Sequence, residues 1–259
     1  MKPEEMLILT TPPDRLAQAR QTGLTLGHMA YRVGRGPHLY RAGDRTPLQG
    51  GLMVVDARGF DGQGDPGILC QQLLRECSAR NFSGIICDFE GAPLPMLERM
   101  LTRLDDLASR RGLSLYVPEP YGHRTRRARV LISSALSGGS LTGRLEQAAQ
   151  TFGGWERLTL AVERVAEDFP LPSPTGCGHP LRREELSRLM EQRSPNVFFS
   201  GELCARYFTY VSRESGAHFV LFDDGATIRK KLQLAHRLGI QKAVVALPEV
   251  DDVLQQLCG

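Results

Sequence analysis

The feature that most constrains the fold of this chain is a series of short apolar runs, each followed by a polar or helix-forming segment. Several of the runs are continuously apolar, which is typical of strands buried on both faces of a parallel sheet. The runs begin at Met6, Leu24, Leu52, Gly84, Leu113, Val130, Leu158, Asn196 and Lys242. This repetition predicts βα units that are joined by right-handed crossovers.

Amphipathic segments of helical period lie between several of these runs. We predict helices over residues 66–81, 95–112, 142–153, 183–193 and 227–239. Pro66 and Pro95 suit the first turn of a helix, whereas Gly112, Gly153 and Gly239 suit the position just after its end. The apolar stripe of the 95–112 helix indicates a face that packs against the core.

Repeated βα units leave two main architectures, a closed eight-stranded barrel or an open, doubly wound sheet. An open sheet that binds a nucleotide should carry a glycine-rich first turn. The stretches GRGPH (34–38) and GFDGQGD (59–65) match neither GxGxxG nor the P-loop pattern with its lysine. The number of apolar runs and the length of 259 residues favour the barrel. We therefore predict an α/β fold, a (β/α)8 TIM barrel, as a single domain over residues 1–259.

Charge and cysteine usage narrow the class of partner. A formal net charge of +3 gives little reason to expect a nucleic acid, and the basic cluster RTRRAR (124–129) is interpreted as a solvated loop. The sequence shows neither a long apolar segment nor the basic start of a secretory signal, so we expect a cytoplasmic protein with no membrane partner. The six cysteines lack CxxC spacing, which fits reduced thiols and no zinc site. The stretch SALSGGSLTGR (134–144) is rich in glycine and precedes a predicted helix. Because helix N-termini can bind phosphate, a phosphate site here is a minor alternative.

In a βα barrel, the residues that follow each strand line the catalytic face. Our candidate site residues on this face are Asp56, Arg58, Asp88, Glu90, Glu119, Tyr121, Glu163 and Glu202. The set is acidic with one arginine, which is more typical of a sugar-binding cleft than of a phosphate site. We expect no metal and no cofactor.

The run GIICDFEG (84–91) ends in two carboxylates that stand two residues apart, Asp88 and Glu90. Residues i and i+2 of a strand point to the same face. Two carboxyls on one face can divide their work, because an ionised carboxylate raises the pKa of its neighbour and keeps it protonated as a general acid. Cleavage of a glycosidic bond needs such an acid. These two residues are therefore the candidate catalytic pair, and the other six are candidate substrate-binding residues.

SGIICDFEG (83–91) resembles the DGxDxDxE signature of glycoside hydrolase family 18, the chitinase-like barrels, at Gly84, Asp88 and Glu90. A longer segment, 208–247, is similar to the closing part of that family: a hairpin, a strand ending in an acidic pair, a helix and the last barrel strand. The resemblance implies a small hairpin insertion at about 200–225, before the last strand. In appearance the chain is most similar to spore-coat and cell-wall hydrolases of sporulating bacteria.

The resemblance also implies a mechanism. In the family the glutamate protonates the glycosidic oxygen while the acetamido carbonyl of the substrate attacks the anomeric carbon. Carried over, Glu90 is the acid and Asp88 orients the acetamido group. The implied partner is a carbohydrate, an N-acetylglucosamine-containing glycan of peptidoglycan or chitin type, and the implied location includes the spore.

The sequence departs from the family pattern at several positions. Ser83 and Ile86 stand where the signature has aspartates, no tyrosine occurs near Val162 where the family has one, and Trp155 precedes a strand instead of ending the last one. A catalytically inactive barrel that binds a glycan or a protein is therefore the alternative function. A third hypothesis is a metal-assisted barrel enzyme with Asp56, Asp88 and Glu90 as oxygen ligands.

Overall fold

The computed structural model describes residues 6–42, 47–173 and 176–258 of the chain. Eight parallel strands close into a barrel, since β1 pairs with both the second and the last strand of the set. These strands are β1 (Leu7–Thr11), β2 (Thr25–Gly34), β4 (Leu52–Asp56), β5 (Gly84–Asp88), β6 (Ser114–Pro118), β7 (Arg129–Ser133), β8 (Leu158–Val162) and β14 (Ala243–Ala246). The predicted TIM barrel is confirmed. A short strand, β3 (His38–Arg41), adds antiparallel to the outer part of β2.

Eight of the nine predicted apolar runs are barrel strands. Their side chains alternate between the barrel interior and the surrounding helices. The interior holds a separate apolar cluster of Ile8, Leu52, Val54, Ile86 and Tyr116. The opposite faces of the same strands pack under the helices in the main core. Burial on both faces explains why the runs are continuously apolar.

All five predicted helices are present, although their ends differ by a residue or two from the prediction. They are α2 (Pro66–Arg80), α3 (Pro95–Arg110), α4 (Leu141–Phe152), α5 (Arg183–Arg193) and α6 (Gly225–Leu238). The Asp65 carboxylate accepts from the Gly67 N–H at the start of α2, and Gly153 and Gly239 end α4 and α6 in the left-handed conformation. The described residues also include three shorter α-helices: α1 (Leu16–Arg20), α7 (Leu247–Val250) and α8 (Leu254–Cys258).

A second, antiparallel sheet is inserted between the seventh and eighth barrel strands. Its strands are β9 (Ala166–Leu171), β10 (His179–Pro180), β11 (Phe198–Ser200), β12 (Ala205–Ser212) and β13 (Gly216–Phe222), in the order β10-β9-β13-β12-β11. The predicted hairpin is β12 with β13. The insertion already begins at Ala166, however, and the run at Asn196 belongs to it as β11 instead of to the barrel. Helix α5 packs on one face of this sheet.

A buried ion pair joins the insertion to the barrel. The Lys231 ammonium on α6 lies 2.6 Å from the Asp223 carboxylate, and the two side chains are 1% and 0% exposed. Asp223 also accepts from the Val165 N–H at 3.0 Å and from the Thr227 hydroxyl at 2.7 Å. The Asp223 carboxylate therefore joins the two ends of the insertion, the segment before β9 and the segment after β13.

The basic cluster 124–129 packs on the barrel by backbone and side-chain bonds. The buried Asp105 carboxylate accepts from the N–H groups of Arg126, Arg127 and Ala128. The guanidinium groups of Arg124 and Arg127 pair with carboxylates on α3. None of the described helices has the length and apolar character needed to cross a bilayer.

Candidate active site

A cavity of about 520 Å³ opens at the carboxyl end of the barrel strands. Its floor is formed by apolar interior side chains that include Met29, Val54, Ile86, Leu131 and Val244. Its rim carries the charged side chains Arg58, Asp88, Glu90, Glu119, Glu163 and Glu249. The cavity is therefore apolar at depth and acidic at its mouth, with one guanidinium among the lining groups.

Asp88 ends β5 and Glu90 follows it, and both line the cavity, as expected for residues two apart on one face. Phe89, which lies between them, is buried and packs edge-on against Tyr121 at 5.8 Å between ring centroids. This contact holds the backbone of the pair. Asp88 is half-buried and Glu90 is exposed, so the two carboxyls differ in their access to solvent.

Burial raises the pKa of Asp88 above its ordinary value. The negative charges of Glu90 and Asp56 raise this pKa further, while the Arg58 guanidinium opposes them. Desolvation and like charges both disfavour the ionised carboxyl. The carboxyl that its surroundings hold toward the protonated form is therefore Asp88, the residue to which the resemblance assigns the orienting role.

Asp56 and Arg58 act as a unit on the adjacent strand end. The Asp56 carboxylate accepts from the Arg58 guanidinium and the Arg58 N–H at 3.0 Å, and from the Arg32 guanidinium at 3.1 Å. Partial burial would raise the pKa of Asp56, but the bonds from Arg58 and Arg32 outweigh it and lower this pKa. Arg58 lines the cavity, while Asp56 lies behind it and holds its position.

Glu119 and Glu163 also line the cavity. Glu119 follows β6, two strands from β4, which carries Asp56, and Glu163 follows β8, on the opposite side of the barrel. Glu119 forms a close ion pair with Arg144 of α4. The Ser133 hydroxyl at the end of β7 donates to Glu163 at 2.7 Å, and the Glu163 N–H donates to the Ser134 hydroxyl at 3.2 Å. Both carboxylates therefore have fixed orientations.

Besides Asp56, two of the predicted binding residues do not line the cavity. Tyr121 is 1% exposed, and its hydroxyl accepts from the Leu94 N–H at 3.1 Å. It turns inward because the residues after β6 form a 3-10 helix (Glu119–Arg124) that packs against Phe89. Glu202 lies in the exposed turn before β12, because the strand that it follows belongs to the insertion. Tyr121 supports the strand end from behind. Glu202 lies outside the cavity, and its carbonyl accepts from the Leu141 N–H at the start of α4.

Glu249, in α7 after the last barrel strand, lines the cavity and was not among the predicted residues. Partial burial and the neighbouring charge of Glu163 raise its pKa. The signal was present in KAVVALPE, since a carboxylate closely follows the eighth strand. Ala246 lines the cavity at the end of that strand, where the resembled family has a tryptophan. Trp155 lies at the opposite end of the barrel, before β8.

The hypothesis of a metal site built from Asp56, Asp88 and Glu90 gains no support from this geometry. Both oxygens of Asp56 are occupied by guanidinium groups. Within residues 6–42, 47–173 and 176–258, no three histidine, cysteine or acidic side chains are grouped as metal ligands.

A closed parallel barrel with a carboxylate-lined cavity at its carboxyl end is the architecture of (β/α)8 enzymes and their relatives. Comparison with solved structures identifies the fold more closely as that of glycoside hydrolase family 18. Neither a protein-family model nor a curated protein sequence matches the chain.

Three solved structures illustrate the likeness. The spore cortex-lytic enzyme SleL of Bacillus cereus matches with a TM-score of 0.68 and 14% identity, over 99% of this chain and 74% of that chain. A chitinase from Chromobacterium violaceum matches with a TM-score of 0.68 and 14% identity, over 97% and 98%. A family 18 chitinase from Cycas revoluta, solved with (GlcNAc)3, matches with a TM-score of 0.62 and 12% identity, over 98% of each chain.

Proposed function

We propose that this chain is a glycosidase that hydrolyses N-acetylglucosamine-containing glycans of peptidoglycan or chitin type. The observation that carries the proposal is the placement of Asp88 and Glu90 side by side at the mouth of the barrel cavity. The fold that the chain shares with chitinases and with SleL supports the same reaction class. Fold alone does not establish an activity, so the argument depends on these two side chains.

In the proposed reaction, Glu90 gives its proton to the glycosidic oxygen. The carbonyl oxygen of the substrate's 2-acetamido group attacks the anomeric carbon, the bond to the leaving sugar breaks, and a cyclic oxazolinium forms. Asp88 orients the acetamido N–H and stabilises the positive charge of this intermediate. Glu90 then removes a proton from water, which opens the ring and releases the product with a retained anomeric configuration.

The remaining cavity residues suit a polyhydroxylated ligand. Arg58 offers guanidinium N–H donors, and Glu163 and Glu249 offer acceptors to sugar hydroxyls. The apolar floor around Met29 and Leu131 can receive the acetamido methyl group. The likeness to SleL supports a spore glycan as the substrate, and location in the cytoplasm or at the spore stays a prediction.

A catalytically inactive barrel that binds a glycan or a protein is the second candidate, and one observation favours it. Ile86 and the apolar floor replace the polar groups that stand behind the aspartate in the resembled signature. Without polar groups behind it, the Asp88 side chain is held less firmly in the position that orients a substrate. Under this alternative the cavity would still bind amino-sugar oligomers but release no product.

The experiment that separates the two candidates pairs binding with product analysis. The full chain and its Glu90→Gln variant are incubated with chitin oligomers and with peptidoglycan, and products are identified by mass spectrometry. A glycosidase releases shorter sugars only with Glu90 present, while binding measured by calorimetry persists in the variant. Binding without product by the native chain supports the inactive barrel, and equal turnover by both proteins removes Glu90 from the mechanism.

A further inference from the structure

The inserted sheet carries a serine, a histidine and an aspartate in hydrogen-bonded series. The Ser215 hydroxyl lies 2.7 Å from Nε2 of His218, and Nδ1 of His218 lies 2.9 Å from Oδ1 of Asp168. Ser215 is in the turn between β12 and β13, His218 is on β13, and Asp168 is on β9. None of the three lines the barrel cavity, so this cluster is independent of the proposed glycosidase site.

The carboxylate determines which nitrogen of the histidine carries the proton. Because an ionised carboxylate only accepts, Nδ1 of His218 donates to Asp168, and the Nε2 lone pair faces the Ser215 hydroxyl. The second oxygen of Asp168 accepts from the Tyr210 hydroxyl at 2.7 Å. Burial and this bond raise the pKa of Tyr210 to about 12, so the phenol remains a donor at neutral pH.

Packing holds the histidine ring in place. His218 is 6% exposed and stacks on the Tyr210 ring with centroids 4.6 Å apart, and the Arg193 guanidinium lies 5.2 Å from the centroid of that ring. Strand pairing sets Tyr210 directly opposite His218. The base is therefore shielded and oriented, whereas Ser215 is exposed.

Space for a small ligand lies beside the cluster. A shallow cavity of about 350 Å³ is bounded by Asp168 and Tyr210 on the sheet and by residues of α5, on the carboxylate side of the cluster. Ser215 and His218 do not line it, so an ester reaches the exposed Ser215 hydroxyl from solvent. A serine that hydrogen-bonds to a histidine, itself oriented by a carboxylate, is the arrangement that activates a hydroxyl as a nucleophile.

We propose that Ser215, His218 and Asp168 form a second site that hydrolyses small carboxylic esters. The Ser215 oxygen attacks the ester carbonyl carbon while Nε2 of His218 takes the hydroxyl proton. The bond to the alcohol breaks, and this proton passes to the departing alkoxide. Water then attacks the acyl carbon while Nε2 of His218 takes one of its protons. The bond from the acyl carbon to the Ser215 oxygen breaks, the carboxylic acid leaves, and the proton on Nε2 returns to the Ser215 oxygen. Asp168 is a positioning residue, which holds the histidine tautomer.

The first test is covalent labelling of the full chain with a fluorophosphonate, with the modified residue found by peptide mass spectrometry. The site predicts labelling at Ser215 and none at Ser83, an exposed serine whose hydroxyl donates to the Gly51 carbonyl. Ser215→Ala removes the label, and His218→Gln slows labelling about 10²-fold or more, the usual contribution of a general base. Equal labelling of Ser83 and Ser215 would overturn the proposal, as would no labelling at either.

The second test separates positioning from structure by hydrolysis of p-nitrophenyl acetate. Asp168→Asn places an amide donor against Nδ1 and favours the wrong tautomer, so kcat should fall about 10²-fold or more. The matched control Tyr210→Phe removes a hydrogen bond from the same carboxylate and keeps the ring stack, so kcat should change less than about tenfold. Equal effects of the two variants, or a native rate no higher than that of Ser215→Ala, would show that the cluster is only structural.

Discussion

Ile86 lies directly below Asp88 on the inward face of β5, so the carboxyl at the mouth of the cavity stands on an aliphatic side chain. Ile86 packs among Ile8, Leu52, Val54 and Tyr116, with 2% of its surface exposed. A carboxylate in this position would be surrounded by apolar groups. The Asp88 carboxyl therefore stands above apolar groups instead of a buried carboxylate relay, and the nearby Arg58 charge favours its ionised form.

The apolar barrel interior should reject a polar side chain at position 86. Ile86→Asn places an amide among aliphatic groups, and we expect the free energy of unfolding to fall by about 2–4 kcal/mol. Ile86→Val is the matched control, with an expected loss of about 1 kcal/mol from the lost methyl group. Denaturant unfolding measures both. Equal stabilities of the two variants would mean that the interior admits a polar partner for Asp88.

Asp88 should reduce stability at neutral pH. Its pKa is raised by burial and by the charges of Glu90 and Asp56, so the folded protein binds this proton more tightly than the unfolded chain. The penalty for ionisation is absent below the ordinary value of 3.8 and develops as the pH rises through the folded pKa. Asp88→Asn should stabilise the protein by up to about 1 kcal/mol at pH 7.

The control for this prediction is the pH dependence of the difference in unfolding free energy. The gain from Asp88→Asn should shrink as the pH falls toward 3.8. A gain that stays constant over about pH 4 to 7, measured at intervals of about one pH unit, would contradict electrostatic strain at this carboxyl.

The buried pair of Asp223 and Lys231 should be intolerant of single changes. Lys231→Met leaves the Asp223 charge in a dry environment, and we expect a loss of about 3–5 kcal/mol. The double variant Asp223→Asn, Lys231→Met removes both charges and should recover a large part of that loss. Thermal unfolding of the three proteins measures the effect. A single variant as stable as the double variant would show that the pair is solvated.

Asp105 should contribute more to stability than its sequence neighbour Asp106. Asp105 is 5% exposed and accepts from three backbone N–H groups of the basic loop. Asp105→Ala leaves these donors without their acceptor, and we expect a loss of about 2–3 kcal/mol. Asp106→Ala, which removes only an exposed pair with Arg127, should cost less than about 1 kcal/mol. Comparable losses would mean that the loop does not depend on Asp105.

The barrel could be predicted because burial on both faces of a parallel strand leaves a direct signal in the sequence. The strand-end rule also located Arg58, Asp88, Glu90, Glu119 and Glu163 on the cavity. The rule depends on assigning each apolar run to the correct sheet. NVFFSGEL is apolar like the barrel strands, but it pairs with β12, and Glu202 was misplaced for this reason.

Other parts of the site depend on tertiary contacts that local patterns do not encode. Tyr121 turns inward because of its edge-on contact with Phe89. The series Ser215, His218 and Asp168 requires β9 and β13 to pair across a long stretch of chain, which no spacing in the sequence indicates. Glu249 is different, because the strand-end rule applied to the last strand would have found it.

The most direct test of the central claim is release of 4-methylumbelliferone from acetylated chito-oligosaccharide conjugates. The native chain, Glu90→Gln and the control Glu202→Gln, a glutamate outside the cavity lining, should be compared across about pH 4 to 8, because a general acid works best near its own pKa. We predict turnover by the native chain and by Glu202→Gln, and a loss of about 10²-fold or more in Glu90→Gln. Undiminished turnover in Glu90→Gln, or none in the folded native chain, would contradict the assignment of Glu90 as the acid.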